Sequence, residues 1–116
     1  MGDISVILEG TESEAAKEGF RSTVHGAGRT MSRTRAAGKI KKGKRMGGEI
    51  TRDMMHKWVK EKGVVLRGAG TDESPHCYKR LPDVLRHHED SAKVVHTLHP
   101  IGVAMAGEDE FDPFRD

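Results

Sequence analysis

The sequence predicts an α+β fold of short strands and short helices joined by long glycine-rich and basic loops. Three observations carry that expectation. β-branched runs at Ile4–Leu8 and Val64–Leu66 read as short strands. Ile50, Met54, Met55, Trp58 and Val59 recur three or four residues apart and define one apolar helix face. Fourteen glycines interrupt the chain often enough to keep its elements short.

Taken in order, Ile4 to Leu8 reads as a buried strand that Gly10 ends. Thr11-Glu-Ser-Glu14 has capping-box spacing, so a helix through Ala15, Ala16 and Phe20 is expected next. The chain then enters a loop around His25. Helix resumes between Arg29 and Ala37, and the lysine-rich stretch from Gly38 to Gly48 reads as mobile loop. The Ile50–Val59 stripe is expected to be core rather than a cofactor box, with Gly63 as its C-terminal stop. Val64 to Leu66 forms a second strand, and Gly68 to Pro75 is loop by composition. Pro82 starts a further short helix carrying Val84 and Leu85. Lys93 to Met105 is mostly β-type, interrupted by Pro100, and the acidic tail from Glu108 is expected to fray.

The 116 residues suit one domain, yet Leu, Ile, Val and Phe number only 22, close to the level at which a core becomes hard to build. The chain is therefore expected to pack against something else. The single cysteine, Cys77, excludes an internal disulfide and fits a reducing cytosol. No apolar run approaches the roughly 18 residues of a membrane span, and no signal peptide is apparent, so a cytoplasmic location without a membrane partner is expected. A formal net charge of +2 hides a strong asymmetry. Arg29 to Arg45 holds eight Lys/Arg and no acid, whereas Glu108 to Asp116 holds five acids and one Arg. The basic block fits a polyanion partner, or equally a solvated loop kept basic for solubility.

The string Ser22-Thr-Val-His-Gly-Ala-Gly-Arg-Thr-Met-Ser-Arg33 is the most informative in the chain. Gly26, Ala27 and Gly28 remove side-chain bulk, so backbone N–H groups can approach an anion. Arg29 and Arg33, four apart, share a face if helical and present planar forks to phosphate. His25 at the mouth of this loop can serve as ligand, proton shuttle or nucleophile. The spacing is not that of a Walker loop. The remaining histidines make a poor metal set: His87 and His88 are adjacent, His96 and His99 lack a paired carboxylate or cysteine, and His76-Cys77 lacks structural-zinc spacing. Nothing near Cys77 in the sequence marks it as a nucleophile.

At these residues the chain resembles the RtcB-type RNA-splicing ligases, which join an RNA 3′-phosphate or 2′,3′-cyclic phosphate to a 5′-hydroxyl. The His25 string looks like that family's guanylylated-histidine motif. The likeness extends to Met1-Gly-Asp-Ile-Ser5, similar to the end of a nucleotide-binding segment, and through Asp72-Glu-Ser-Pro-His-Cys-Tyr-Lys79 to Pro100-Ile-Gly-Val-Ala-Met-Ala-Gly107. It implies that residues 1–107 are the C-terminal portion of a ligase domain, with 108–116 as an acidic tail. His25 would take GMP from GTP as a phosphoramidate. Met1, Ser5, Gly26, Ala27 and Gly28 would line the nucleotide, Tyr78 would lie near guanine, and Arg29 and Arg33 would hold RNA or nucleotide phosphate. Manganese would neutralise charge, but the family's metal ligands precede the segment that Met1 resembles, so a separate N-terminal portion would supply them. Ala104-Met-Ala-Gly107 stands where many members carry a guanine-contacting lysine. Two readings of other classes stay open, a small nonenzymatic RNA-binding module built on the basic block and an inactive fragment.

Overall fold

Short apolar runs cut by glycine cannot build a broad sheet, and the computed structural model, which describes residues 1–107 and 110, has three two-stranded ones. Its helices and strands make the fold α+β, as the sequence predicts. The elements are β1 (Ser5–Gly10), α1 (Glu14–Glu18), α2 (Arg33–Ala37), β2 (Gly38–Lys41), β3 (Lys44–Gly47), α3 (Arg52–Glu61), β4 (Val65–Arg67), α4 (Leu81–Arg86), β5 (Ala92–Leu98) and β6 (Gly102–Ala104). Two 3₁₀ turns, Thr71–Glu73 and Pro75–Cys77, lie between β4 and α4. β1 pairs antiparallel with β5 from Ser5↔Leu98 to Gly10↔Ala92, with a register shift between Ile7 and Leu8. β4 and β6 pair in parallel, and β2 and β3 form a hairpin. The expected acidic tail lies outside the described residues except for Glu110. Among the described residues no helix is long and apolar enough to cross a membrane.

Each α-helix of the first half begins at a hydroxyl cap. Ser13, Ser32 and Thr51 accept from the backbone N–H three residues on, satisfying one orphan donor of the first turn. The first of these corrects the expected capping box. Thr11 is not the cap, because its hydroxyl donates 2.7 Å to the Asp90 carbonyl and ties the start of α1 to the far end of the chain. Phe20 is not on the helix either: α1 stops at Glu18, and Phe20 stands 94% exposed in the left-handed region. The helix expected from Arg29 starts only at Arg33, and the lysine-rich stretch is not loop but the β2–β3 hairpin. The predicted Gly68–Pro75 loop contains most of the 3₁₀ structure. Gly63, at positive φ just past α3, stops that helix as expected.

The core is small and made of small side chains. Ala36, Ile50 and Cys77 form its centre, with Met31 and Tyr78 packed on them; Met55 and Val59 bury the predicted face of α3. The strand expected to be buried is not: Ile7 of β1 is 49% exposed, and Val94, Val95 and Leu98 of its partner β5 are also exposed. The radius of gyration is 16.7 Å, against roughly 13 Å for a compact domain of this length. A chain with this few large apolar residues cannot close around them, so sheet faces remain open.

Candidate functional site

His25 sits in a bend between α1 and α2 and is solvent-exposed. It stands on a cleft of about 440 Å³, within the range of small-molecule sites. The cleft is lined by the segment from Met1 through Val6, the Val24–Ala27 loop, and the 3₁₀ region with Tyr78 and Lys79, and apolar side chains of α4 and of the stretch carrying Pro100 and Val103 complete it. Of the residues singled out in sequence, Met1, Ser5, His25, Gly26, Ala27 and Tyr78 line it together, although they come from segments up to 77 positions apart. Gly28, Arg29 and Arg33 do not line it. Nothing lies within 4 Å of a Cβ built on Gly26, so that position is open to a ligand's approach.

The loop is held in place by pairing rather than by packing. Thr30 N–H donates 2.8 Å to the Cys77 carbonyl, and Lys79 N–H donates 3.0 Å to Gly28. Arg29 and Tyr78 thereby form an isolated antiparallel bridge. Gly28, at φ +77°, turns the chain out of the His25 bend into this extended stretch. Arg29 is thus extended and Arg33 helical, so the two do not share a helix face as their spacing suggested. They converge all the same, because both reach the first 3₁₀ turn.

There the guanidiniums meet acidic partners that the sequence reading did not assign to them. Arg29 donates 2.9 Å to the Tyr78 hydroxyl and 2.7 Å to the Asp72 carbonyl, with its guanidinium 4.9 Å from the Tyr78 ring centroid. Tyr78 in turn donates 2.5 Å to Glu73. Arg33 lies 3.2 Å from the Asp72 carboxylate and also pairs with Glu73. The Asp72 side chain is almost wholly buried, where a charge needs close partners. Asp72-Glu73 therefore balances the two arginines and fixes Tyr78 at the cleft wall. The signal available was the acidic pair itself, but only the fold carries it across some forty residues to Arg29 and Arg33.

Lys79 is a cleft-lining cation that sequence reasoning did not single out; it makes no ion pair among the described residues. Cys77 is fully buried, its thiol donating 3.5 Å to the Thr71 carbonyl, and burial pushes its pKa up. It is held as the protonated thiol, the unreactive form. Among the described residues no three His, Cys, Asp or Glu side chains converge as metal ligands. The described residues thus offer no ligand set that fits a manganese ion.

The arrangement presents an accessible imidazole beside a small-residue loop, with a lysine and a Tyr–Glu–Arg network in the facing wall. Such an arrangement has the chemical means to admit an anion and to offer it a nucleophile. Residues 1–106 match the family model for "tRNA-splicing ligase RtcB", and the chain belongs to that family. It is 36% identical over 106 residues to the tRNA-splicing ligase RtcB of Pyrococcus horikoshii, covering 90% of this chain and 11% of that protein. Against the Archaeoglobus fulgidus protein of the same name it is 36% identical over 110 residues, covering 90% and 20%. The RNA-splicing ligase RtcB of Mycobacterium tuberculosis is 33% identical over 108 residues, covering 88% and 22%. The chain thus spans between about a tenth and a fifth of the length of these relatives.

Proposed function

We propose that this chain carries the guanylyl-accepting histidine of a GTP-dependent RNA ligase that joins 3′-phosphate or 2′,3′-cyclic phosphate ends to 5′-hydroxyl ends, in tRNA splicing or RNA repair. One observation carries the reading: the His25 imidazole is exposed on a cleft lined by the small residues and the Met1–Ser5 segment that the family motif supplies.

An imidazole nitrogen of His25 attacks the α-phosphorus of GTP. A P–N bond forms, the P–O bond to the β-phosphate breaks, and pyrophosphate leaves. A neutral imidazole is a competent nucleophile near pH 7, and the phosphoramidate keeps the GMP activated. A 2′,3′-cyclic end is first opened by water to the 3′-phosphate; an oxygen of that phosphate then attacks the GMP phosphorus as the P–N bond to His25 breaks, and the 5′-hydroxyl oxygen attacks the activated 3′-phosphorus, forming the phosphodiester as GMP leaves. Gly26 and Ala27 allow close approach of the nucleotide, Gly28 turns the loop that presents them, Met1 and Ser5 form the opposite wall, and Tyr78 lies near the base. Lys79 supplies positive charge to the cleft. Arg29 and Arg33 contribute to holding phosphate from behind the cleft wall, and because Asp72 and Glu73 already balance them, a bound phosphate needs further positive charge. Residues 1–107 act as the C-terminal portion of the ligase domain; manganese would be held by ligands preceding the Met1 segment in the family's order and would supply further charge neutralisation.

The test is incubation with α-labelled GTP and manganese, with the chain alone and with the N-terminal region of a relative added. A covalent label at His25 that appears with both portions and is lost in His25→Ala supports the reading. A folded, complemented complex that never labels His25 rejects the nucleophile.

A further inference from the structure

The β2–β3 hairpin is a cationic blade that shares no lining residue with the His25 cleft. Its register sets Lys39 opposite Met46 and Lys41 opposite Lys44, so Lys39, Lys41, Lys44 and Met46 project from one face. Lys42 and Gly43 make the two-residue turn, both at positive φ (49° and 74°), as a type I′ turn requires. Lys39, Lys41, Lys42 and Lys44 are exposed and make no ion pair among the described residues. Two lysines directly opposite each other repel, and the strands supply no carboxylate to relieve them. As an isolated two-stranded ribbon, such a hairpin has little stability to set against that repulsion.

The lysine face is not flat. Together with α2 it bounds a depression of about 370 Å³ whose rim includes Ser32, Thr34, Arg35, Lys39 and Lys41. The base of the blade is tied to α2. Glu49 and Ile50 N–H groups donate 3.0 Å to the Arg35 and Ala36 carbonyls, and a Cβ on Gly48 would come within 2.5 Å of the Ala36 carbonyl oxygen.

We infer that this hairpin and the adjoining depression bind the RNA phosphodiester backbone, independently of base sequence, at a surface distinct from the His25 cleft. Phosphate contacts relieve the Lys41–Lys44 repulsion, and hydroxyls beside lysines are the groups that contact phosphate oxygens. The choice of RNA among polyanions rests on the ligase reading above. The binding itself requires neither GTP nor His25, so either proposal can fail without the other.

The experiment is binding of a single-stranded oligonucleotide of mixed sequence to the full chain, without GTP or metal, as a function of salt. Four phosphate contacts predict a log–log slope near −3 at roughly −0.7 per contact. Replacing Lys39, Lys41, Lys42 and Lys44 by Gln is expected to remove that part of the slope and weaken binding about 10²–10³-fold near 0.1 M salt. Replacing them by Arg retains binding. Replacing Lys17, Lys57, Lys60 and Lys93 by Gln removes the same charge elsewhere and is expected to leave the slope unchanged. Circular dichroism checks that each variant is folded. Equal losses in the two Gln sets would assign binding to net charge and overturn the inference. Competition by polyglutamate as strong, per charge, as by RNA would assign the blade to an acidic protein instead.

Discussion

Gly38 opens β2 at φ +86° and ψ 172°, a region open in practice to glycine alone. A Cβ there would lie 2.3 Å from the Met46 carbonyl oxygen and 2.7 Å from the Gly48 nitrogen, both backbone atoms that cannot rotate away. Gly38→Ala therefore has two costs. The backbone conformation contributes about 1–3 kcal/mol. Moving β3 aside sacrifices ladder hydrogen bonds, each worth about 0.5–1.5 kcal/mol. The sum, roughly 3–5 kcal/mol, exceeds what a two-stranded ribbon can hold. Gly47, its cross-strand partner, is also at positive φ (75°), but nothing lies within 4 Å of a Cβ built there. Gly47→Ala then carries only the conformational cost, about 1–2 kcal/mol. Amide hydrogen exchange of Glu49 and Ile50, whose N–H groups close the hairpin base, measures the difference. Gly38→Ala should abolish protection at both amides, while Gly47→Ala should reduce it by about tenfold, the ratio that 1.4 kcal/mol represents. Equal loss in the two variants would mean that close backbone contact does not hold the hairpin, and the reasoning would fail.

Three further outcomes are expected. Arg33→Met leaves the buried Asp72 carboxylate without its nearby guanidinium and should lower stability by about 3 kcal/mol, read as a fall in the urea midpoint at unchanged slope. Cys77 has its pKa raised by burial, so the unfolded thiol loses its proton first as pH rises. Stability should be intact below the ordinary thiol pKa and decline above it, a decline that Cys77→Ala removes; folded chain should also resist iodoacetamide near neutral pH. His25 is exposed, so His25→Ala should change stability by no more than about 0.5 kcal/mol while abolishing guanylylation in the complemented complex. A large destabilisation would make His25 a structural residue.

Local signals were legible where one short-range force decides. The Met55–Val59 face of α3 and its glycine stop follow from helical period and capping, both contained within a dozen residues. The same approach failed at α1, where Thr11 offered a cap in sequence but bonds Asp90 in space, leaving Ser13 as the cap. It failed again at the hairpin, because Lys42-Gly43 lacks the asparagine or aspartate usual before a turn glycine, and the lysines carry no hydrophobic alternation. β1 was misjudged as buried because β-branched composition reports preference for a strand, not what covers it.

For the site, sequence alone determined the chemical inventory: an imidazole, three small residues and two guanidiniums in a string specific enough to mark the family. Chemistry of that kind is carried by residue type and close spacing, which a linear reading preserves. Only the tertiary structure decided which of these residues share a space. It set Met1, Ser5 and Tyr78 around His25, paired Arg29 and Arg33 with Asp72 and the cleft-lining Glu73, and brought Lys79 in. Pairings between residues some forty to fifty positions apart depend on strand register and turn geometry, and these are settled by backbone hydrogen bonds that leave no local mark in the sequence.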